Sequence, residues 1–531
     1  MMTDFSYSMP YGAPRRPVLA RNMVATSQPL AAQAGLSMLA KGGNAVDAAL
    51  AAAATLTVVE PTGNGLGSDA FAIVWDGKAL HGLNASGRSP AAWTPERFAG
   101  RDRMPVRGWE SVTVPGAVSA WADLSARFGA LDFQRLLEPA IGYAEEGFAV
   151  SPTIADLWAK GEALLGDYPG FAETFLPSRR APHAGETFTN PALAATLKAI
   201  AATRGKAFYR GELAARIAAF AAEHGAALTE TDLAEHTNDW CGTLSMDYRG
   251  VSLHEIPPNG QGIVALMALG ILENLPLDTQ DPDSALAIHY QIEAIKLAMA
   301  DAERYVSDPS FMEVPVEAML DKGYLKTRAQ LINAARAQDF GAGAPVAGGT
   351  VYITTADASG MMVSYIQSNY SGFGSGVAVP GTGIHLQNRG AGFTLEDGHP
   401  NQVGPRKRPF HTIIPGFLMC DGAPLMSFGV MGGPMQAQGH VQMVLRTQLY
   451  GQNPQAASDA PRWRFVSGLN VAVETTLNAA AMAGLEDRGH LLTREEPDTS
   501  FGFGGAQLIH RLGDGYVGGS DHRKDGMAVG F

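Results

Sequence analysis

Two patterns of hydrophobic and polar positions divide the chain near residue 340. Before that point apolar residues recur at helical spacing. Leu30, Leu36 and Leu39 fall on one face of a segment that Gly42-Gly43 stops, and Asn44 caps the next. Gly116–Phe128, Phe133–Glu146, Ala192–Thr203, Glu212–His224 and Ser284–Tyr305 share the 3.6-residue period, and Thr229 with Asp232 marks another helix start. The Ala-rich stretch Ala45–Val59 is too short to span a bilayer and carries Asp47, so it reads as a buried helix running into a strand. Phe71–Trp75, turned by Asp76-Gly77 into Ala79–Leu83, reads as a hairpin, and Pro315–Ala337 as a last helix. Beyond the flexible run Gly341–Gly349 the period becomes that of strands, at 350–356, 361–367, 411–419 and 424–430. Met435–Tyr450 returns to helix. This alternation fits an α+β fold with two sheets face to face and helices outside.

Composition narrows the class. The 531 residues suffice for a large core, and 46% hydrophobic with 17% charged residues describes a globular chain. The net charge of −13 argues against a nucleic-acid partner, which requires a basic footprint. Two cysteines, Cys241 and Cys420, make no disulfide framework and suit a reducing compartment. Met1–Met23 holds no apolar run of signal-peptide length, which points to a cytoplasmic protein. The thirteen histidines are scattered, no metal-ligand spacing stands out, and no metal or cofactor is expected.

The junction between the two patterns carries chemistry. In Gly348-Gly349-Thr350-Val351-Tyr352 the slack run ends abruptly at a threonine that opens a strand. A threonine hydroxyl is a poor nucleophile without a base, and a freed α-amino group on the same residue, with a reference pKa of about 7.7–8.0, can be that base. To free it, the Thr350 hydroxyl attacks the Gly349 carbonyl and water opens the ester. Glycines at 348 and 349 permit the backbone geometry such an attack needs. On the tripeptide alone, an ordinary loop entering a strand is the simpler reading.

The surroundings change that reading. The chain resembles the γ-glutamyltranspeptidase family of N-terminal nucleophile hydrolases from about Met23 to Asp521. The resemblance rests on Met23–Ala31, Lys41–Ala49, Val58-Val59-Glu60-Pro61, Ser111–Gly116, Asp247–Gly250, Pro257–Gly262 and Gly404–Pro409, in the family's order. It implies a four-layer αββα sandwich, which periodicity alone does not distinguish from other α+β layouts. It also implies self-cleavage into a large chain of residues 1–349 and a small chain of 350–531, one α/β heterodimer that can pair further. The position of Ser368 is that of a hydroxyl residue bonded to the nucleophile, although a plain serine at a strand end is the other reading. Gly432-Gly433 match the pair whose N–H groups form an oxyanion hole.

Departures cluster where the family binds the glutamyl group. Ser86 stands where an arginine grips the substrate carboxylate, with Arg88 displaced by two. His411-Thr412 replace paired serines. Tyr370 replaces an asparagine, with Asn369 one place early. Arg389 and Gly392 replace a glutamine and the aspartate that takes the substrate ammonium. A site without that carboxylate discriminates against a buried ammonium, whereas Arg389 suits a carboxylate or can sit in a structural ion pair. The short Phe393–Gly404 link, where lidded members carry a longer loop, is expected to leave the nucleophile open unless another loop covers it. These features favour hydrolysis of a small anionic, oxamate-like amide. Asn388–Phe393 and Arg408–Thr412 look like the oxamate amidohydrolase branch. The alternatives are γ-glutamyl transfer or glutathione hydrolysis, a cephalosporin or glutaryl acylase, and an uncleaved silent relative that only binds. The glycines of 63–67 and 372–376 do not follow dinucleotide-binding spacing, and no G-x-S-x-G elbow occurs.

Overall fold

The computed structural model describes residues 15–341, 343, 349–497 and 502–531. Most of the Gly341–Gly349 run, including Gly348, therefore lies outside the described residues, as do residues 1–14 of the N-terminal stretch.

Two seven-stranded antiparallel sheets form the centre. The first runs Met527–Gly530, Met23–Thr26, Val351–Ala356, Met362–Ser368, Asp69–Trp75, Leu80–Ala85 and Asp239–Trp240 in spatial order. The second runs Val18–Ala20, Tyr516–Ser520, Gly505–Arg511, Ala423–Met431, Gly416–Cys420, Val251–Glu255 and Leu244–Tyr248. Their facing sides share one core, with Phe71, Ile73, Tyr352 and Ile366 against Phe417, Met419, Met431 and Ile509. Outside the first sheet lie the helices Pro29–Ala40, Ala45–Val59 and Phe133–Glu146. Outside the second lie Gly262–Leu272, Ala285–Tyr305 and Met435–Val444. Each sheet buries both faces, one against its partner and one against helices, so the four layers are an αββα sandwich. No helix among the described residues is long and apolar enough to cross a membrane.

The side-chain period of two decides which face of the Val351–Ala356 strand sees what. Val351 and Ile353 pack toward the helices, while Tyr352 and Ala356 enter the inter-sheet core. Thr350 continues the even set and points between the sheets.

Three expectations are corrected. Pro315–Ala337 is not one helix but Val316–Met319 and Lys322–Ala329, because the Asp321 carboxylate accepts from the Tyr324 N–H at 2.8 Å and starts a new helix. The strand placed at 411–419 begins only at Gly416, since His411 and Ile414 give their N–H groups to the Asn259 carbonyl and to Gln436 Oε1 instead of to a ladder. Ala45–Val59 ends at the cap Glu60 and reaches the Asp69 strand only through a turn.

Candidate active site

The hairpin fixes the first pair. Val351 lies opposite Gln367 in a register that runs through to Ala356 and Met362. One step further sets Thr350 beside Ser368, and their hydroxyl oxygens are 3.0 Å apart. Ser368 Oγ donates to the Gly349 carbonyl at 2.6 Å and accepts from the Tyr370 N–H at 2.8 Å. A hydroxyl has one proton to give. With that proton committed to Gly349, the Thr350 hydroxyl must be the donor to Ser368. The Thr350 proton therefore already points at an acceptor, and the Gly349 carbonyl is already polarised by Ser368.

Gly349 suits this junction for two reasons. Its φ of +143° is rarely adopted by L side chains, and a Cβ there would lie 2.8 Å from the Gly372 nitrogen. Gly63 packs from the other side, where a Cβ would come within 3.4 Å of the Thr350 nitrogen. These walls are the covering loops that the expectation of an open nucleophile left room for. Despite the short Phe393–Gly404 link, Thr350 is 1% exposed in the uncut chain, because Gly63, Ser371 and Gly372 close around the junction.

The opposite sheet brings the glycine pair. Thr354 Oγ1 bonds Ser427 Oγ at 2.5 Å, and Gly429 sits against the Tyr352 ring. Two further residues along each strand set Thr350 level with Met431, immediately before Gly432-Gly433. Both glycines have positive φ, +124° and +62°. Their carbonyls accept from Met435 and Gln436 as the next helix begins, so the pair is a rigid strand-to-helix turn.

A polar wall follows Ser368. Asn369 passes its carbonyl to the Asn388 N–H, which places Arg389 next to it. Arg389 is buried, lies under the Tyr370 ring with its guanidinium carbon 4.7 Å from the centroid, and donates from Nη1 to Thr412 Oγ1 at 2.8 Å. Its Nε and Nη2, and Asn369 Nδ2, have no partner among the described residues. Burial lowers the Arg389 pKa to about 10, which leaves it cationic at neutral pH. Tyr370 holds a φ of +77°, an unfavourable backbone state for a bulky residue. Gln261 Nε2 donates to the carbonyls of both Thr412 and Gly433, which ties this wall to the glycine turn.

Asp69 completes the wall, and no motif in the sequence pointed to it. It lies opposite Ser368 across adjacent strands and accepts from the Gly87 N–H at 3.2 Å and from His411 Nε2 at 3.1 Å. The Ile413 N–H donates to His411 Nδ1, so the imidazole proton sits on Nε2 and faces Asp69. Burial, with Arg389 and Arg408 nearby, holds His411 well below its usual range, so it is neutral. Burial raises the Asp69 carboxyl to about 7, and the charge of Arg389 only partly opposes that. Ser68, equally unmarked in the sequence, fixes Asn369 by donating to its Oδ1 at 2.8 Å.

Arg88 is placed elsewhere. It pairs with Asp239 at 3.7 Å and lines a separate pocket with His236, Thr237, Glu235 and Arg406. Arg408 also bonds Asp239 and gives Nε to the Ser86 carbonyl, so the place of the missing arginine is filled by structural contacts. Beside the Arg389 wall opens a pocket of about 330 Å³. Tyr370, Thr412 and Gly392 form its inner side, Val264, Met299 and Phe393 its apolar lining, and Glu303 and Glu396 further acidic lining.

Known proteins match this chain along its length. The model of the gamma-glutamyltranspeptidase family matches residues 31–531. A glutathione hydrolase-like YwrD proenzyme of Bacillus subtilis is 38% identical over 524 residues, 96% of this chain and 98% of its own. An oxamate amidohydrolase proenzyme of Klebsiella pneumoniae is 37% identical over 530 residues, 97% of this chain and 99% of its own. Among solved structures, a cephalosporin acylase from Bacillus halodurans superposes with a TM-score of 0.95 at 47% identity, covering 100% of this chain and 99% of that one.

Proposed function

The chain belongs to the gamma-glutamyltranspeptidase family and is an N-terminal nucleophile amidohydrolase; from that premise we propose that it cuts itself before Thr350 and then hydrolyses the amide of a small anionic substrate lacking an α-ammonium. In the first step Thr350 Oγ1 attacks the Gly349 carbonyl carbon while its proton is relayed through Ser368 to the departing Thr350 nitrogen. The C–N bond breaks, the Thr350 nitrogen leaves as an amine, and water hydrolyses the ester. In the second, the freed amine takes the hydroxyl proton as Oγ1 attacks the substrate carbonyl. The proton goes to the leaving nitrogen, and water releases the acyl group. The N–H groups of Gly432-Gly433 are assigned to the developing oxyanion.

Arg389 carries the substrate reading. A buried guanidinium with two unused N–H donors is a fork for a carboxylate. Among the described residues of the same wall Asp69 is the carboxylate nearest Arg389, and Glu303 and Glu396 lie in the lining of the neighbouring pocket. Gly392 cannot regain an aspartate, because a Cβ there would lie 2.4 Å from the Phe410 carbonyl oxygen. Asp69 is already engaged by His411 and Gly87. Arg88, turned to Asp239, is not given a substrate role. The pocket beside Tyr370 supports a second reading: its apolar lining has room for a bulky acyl or amine portion, as an acylase requires.

Steady-state assays with oxamate, a glutaryl amide and γ-glutamyl-p-nitroanilide test this directly. Turnover of the first two with little of the third is expected. Efficient γ-glutamyl turnover would overturn the argument from the missing carboxylate.

A further inference from the structure

Far from the nucleophile in sequence, the fold gathers His289, Glu293 and His490 with ligand atoms within 4.8 Å of one another. The trio resembles a metal site that the sequence did not announce, yet among the described residues every one of its donor atoms except His490 Nδ1 is already committed. His289 Nδ1 and His490 Nε2 share a hydrogen bond at 2.8 Å, and His289 Nε2 donates to the Asn333 carbonyl at 2.8 Å. Glu293 holds the Lys296 ammonium at 2.8 Å with one oxygen and the Gln338 N–H at 3.1 Å with the other. An ammonium in the cluster repels the divalent ion that the trio would bind.

The partners point to another role. Lys296 Nζ also donates to the Gln338 carbonyl at 2.9 Å. A buried ion pair therefore takes both backbone groups of Gln338, which stands twelve residues before Thr350. Small-chain residues grip the same segment. The Ala337 N–H donates to the Arg488 carbonyl at 2.6 Å, Arg488 Nε donates to the Ala334 carbonyl at 3.0 Å, and Gly343 bridges Ser467. Residues 333–338 are thus held by His289, Glu293 and Lys296 of the prospective large chain and by Arg488 of the prospective small one.

We propose that this buried cluster is a clamp: Glu293 and Lys296 are positioning residues that fix the run leading into the scissile bond and, after the cut, keep the new C-terminal tail of the large chain docked on the small chain. Both roles rest on the proposed self-cleavage; the fixing of residues 333–338 does not. By the scaling of loop closure with length, moving an anchor from Gln338 back to the end of the Lys322–Ala329 helix, about 11 against about 20 residues from Gly349, slows closure by at most roughly 2- to 3-fold, since Gly343 also bridges Ser467.

The test uses the double variant Glu293→Leu with Lys296→Met. Replacing both members of a buried pair by apolar groups is often tolerated, whereas removing one is not. Gln338→Pro, which deletes the clamped N–H, is the second variant should the first fail to fold. Each is made with and without Thr350→Ala. Hydrogen exchange of residues 333–341 in the uncut Thr350→Ala background is expected to accelerate at least 10-fold. In the active background, intact-mass time courses are expected to show cleavage slowed roughly 2- to 3-fold. Unchanged exchange in folded variants overturns the clamp, whatever happens to cleavage. Accelerated exchange with cleavage at the unmodified rate keeps the docking and overturns the positioning role. A parent chain that never cleaves removes the self-processing premise and leaves the exchange result standing.

Discussion

Replacing Ser368 by alanine should nearly abolish self-cleavage without unfolding the protein. The hydroxyl does two things in the uncut chain. It polarises the Gly349 carbonyl through a 2.6 Å bond and takes the Thr350 proton across 3.0 Å. Loss of one preorganised donor to a developing oxyanion slows comparable acyl transfers by about 10²–10³-fold, or ~2.7–4 kcal/mol of barrier. Loss of the proton acceptor adds to this. On the stability side, the Tyr370 N–H and the Gly349 carbonyl are left unpaired at a cost of about 1–3 kcal/mol each, which a chain of this size should survive. The assay is an intact-mass time course on freshly synthesised protein at neutral pH, with circular dichroism to confirm folding. Ser368→Thr, which keeps the hydroxyl, should cleave far faster than Ser368→Ala. Cleavage of Ser368→Ala within a few-fold of the parent rate would refute the assignment, because the shared hydroxyl would then be spectator geometry.

Arg389→Met is expected to raise KM for an anionic amide by about 10²-fold, at about 1.5–3 kcal/mol per charge-assisted bond, and Arg389→Lys should not restore it because an ammonium lacks the planar fork; initial rates with oxamate check this. Gly392→Asp is expected to lower Tm by several degrees without conferring γ-glutamyl turnover, since its Cβ meets the Phe410 carbonyl; thermal melts and a γ-glutamyl-p-nitroanilide assay decide it. For pH, the raised carboxyl of Asp69 is neutral below about 7 and anionic above it. The anion offsets the charge of Arg389, so KM should climb as pH rises through about 7, and Asp69→Asn should flatten that limb. Meanwhile kcat should rise as the Thr350 amine deprotonates near its reference value of about 7.7–8.0.

Much of this site was legible because it is local. Thr350 and Ser368 are almost equidistant from the Asp357–Gly360 turn, so a simple hairpin pairs them, and the structure has that register. The even positions of the Val351–Ala356 strand could be read as one face before it was known what they faced. The Gly432-Gly433 turn follows a readable strand. Asp69 was invisible for a physical reason. It reaches Ser368 only by lateral pairing of strands some three hundred residues apart in the chain, and a lone aspartate before an apolar run carries no spacing signal. The pairing of Arg88 with Asp239 was hidden for the converse reason. Proximity in sequence to the displaced motif says nothing about Asp239, which arrives from another strand and captures both Arg88 and Arg408. Tyr370 and Arg389 were each readable as substitutions, but not their stacking.

The placement of the proposed nucleophile one residue before a central strand has its own logic. Val351–Ala356 is flanked on both sides, by Met23–Thr26 and by Met362–Ser368. A chain end created in a loop would fray, and its amine would sample many positions. A chain end created here begins one residue before a strand that pairs with Met362–Ser368 from Val351 and with Met23–Thr26 from Ile353, all six of its residues buried. The backbone that carries the new amine is therefore ordered by ladders that existed before the cut and do not depend on Gly349. The hairpin ladder holds Thr350 beside Ser368, and the facing sheet sets it level with Met431, just before Gly432. The cut thus needs to change only one bond: it converts a peptide nitrogen into a base already within reach of its own hydroxyl. The prediction is that the mature small chain shows amide protection at Val351 to Ala356 as high as in uncut Thr350→Ala. Hydrogen exchange that reveals a frayed first turn of strand in the mature form would contradict this account of preorganisation.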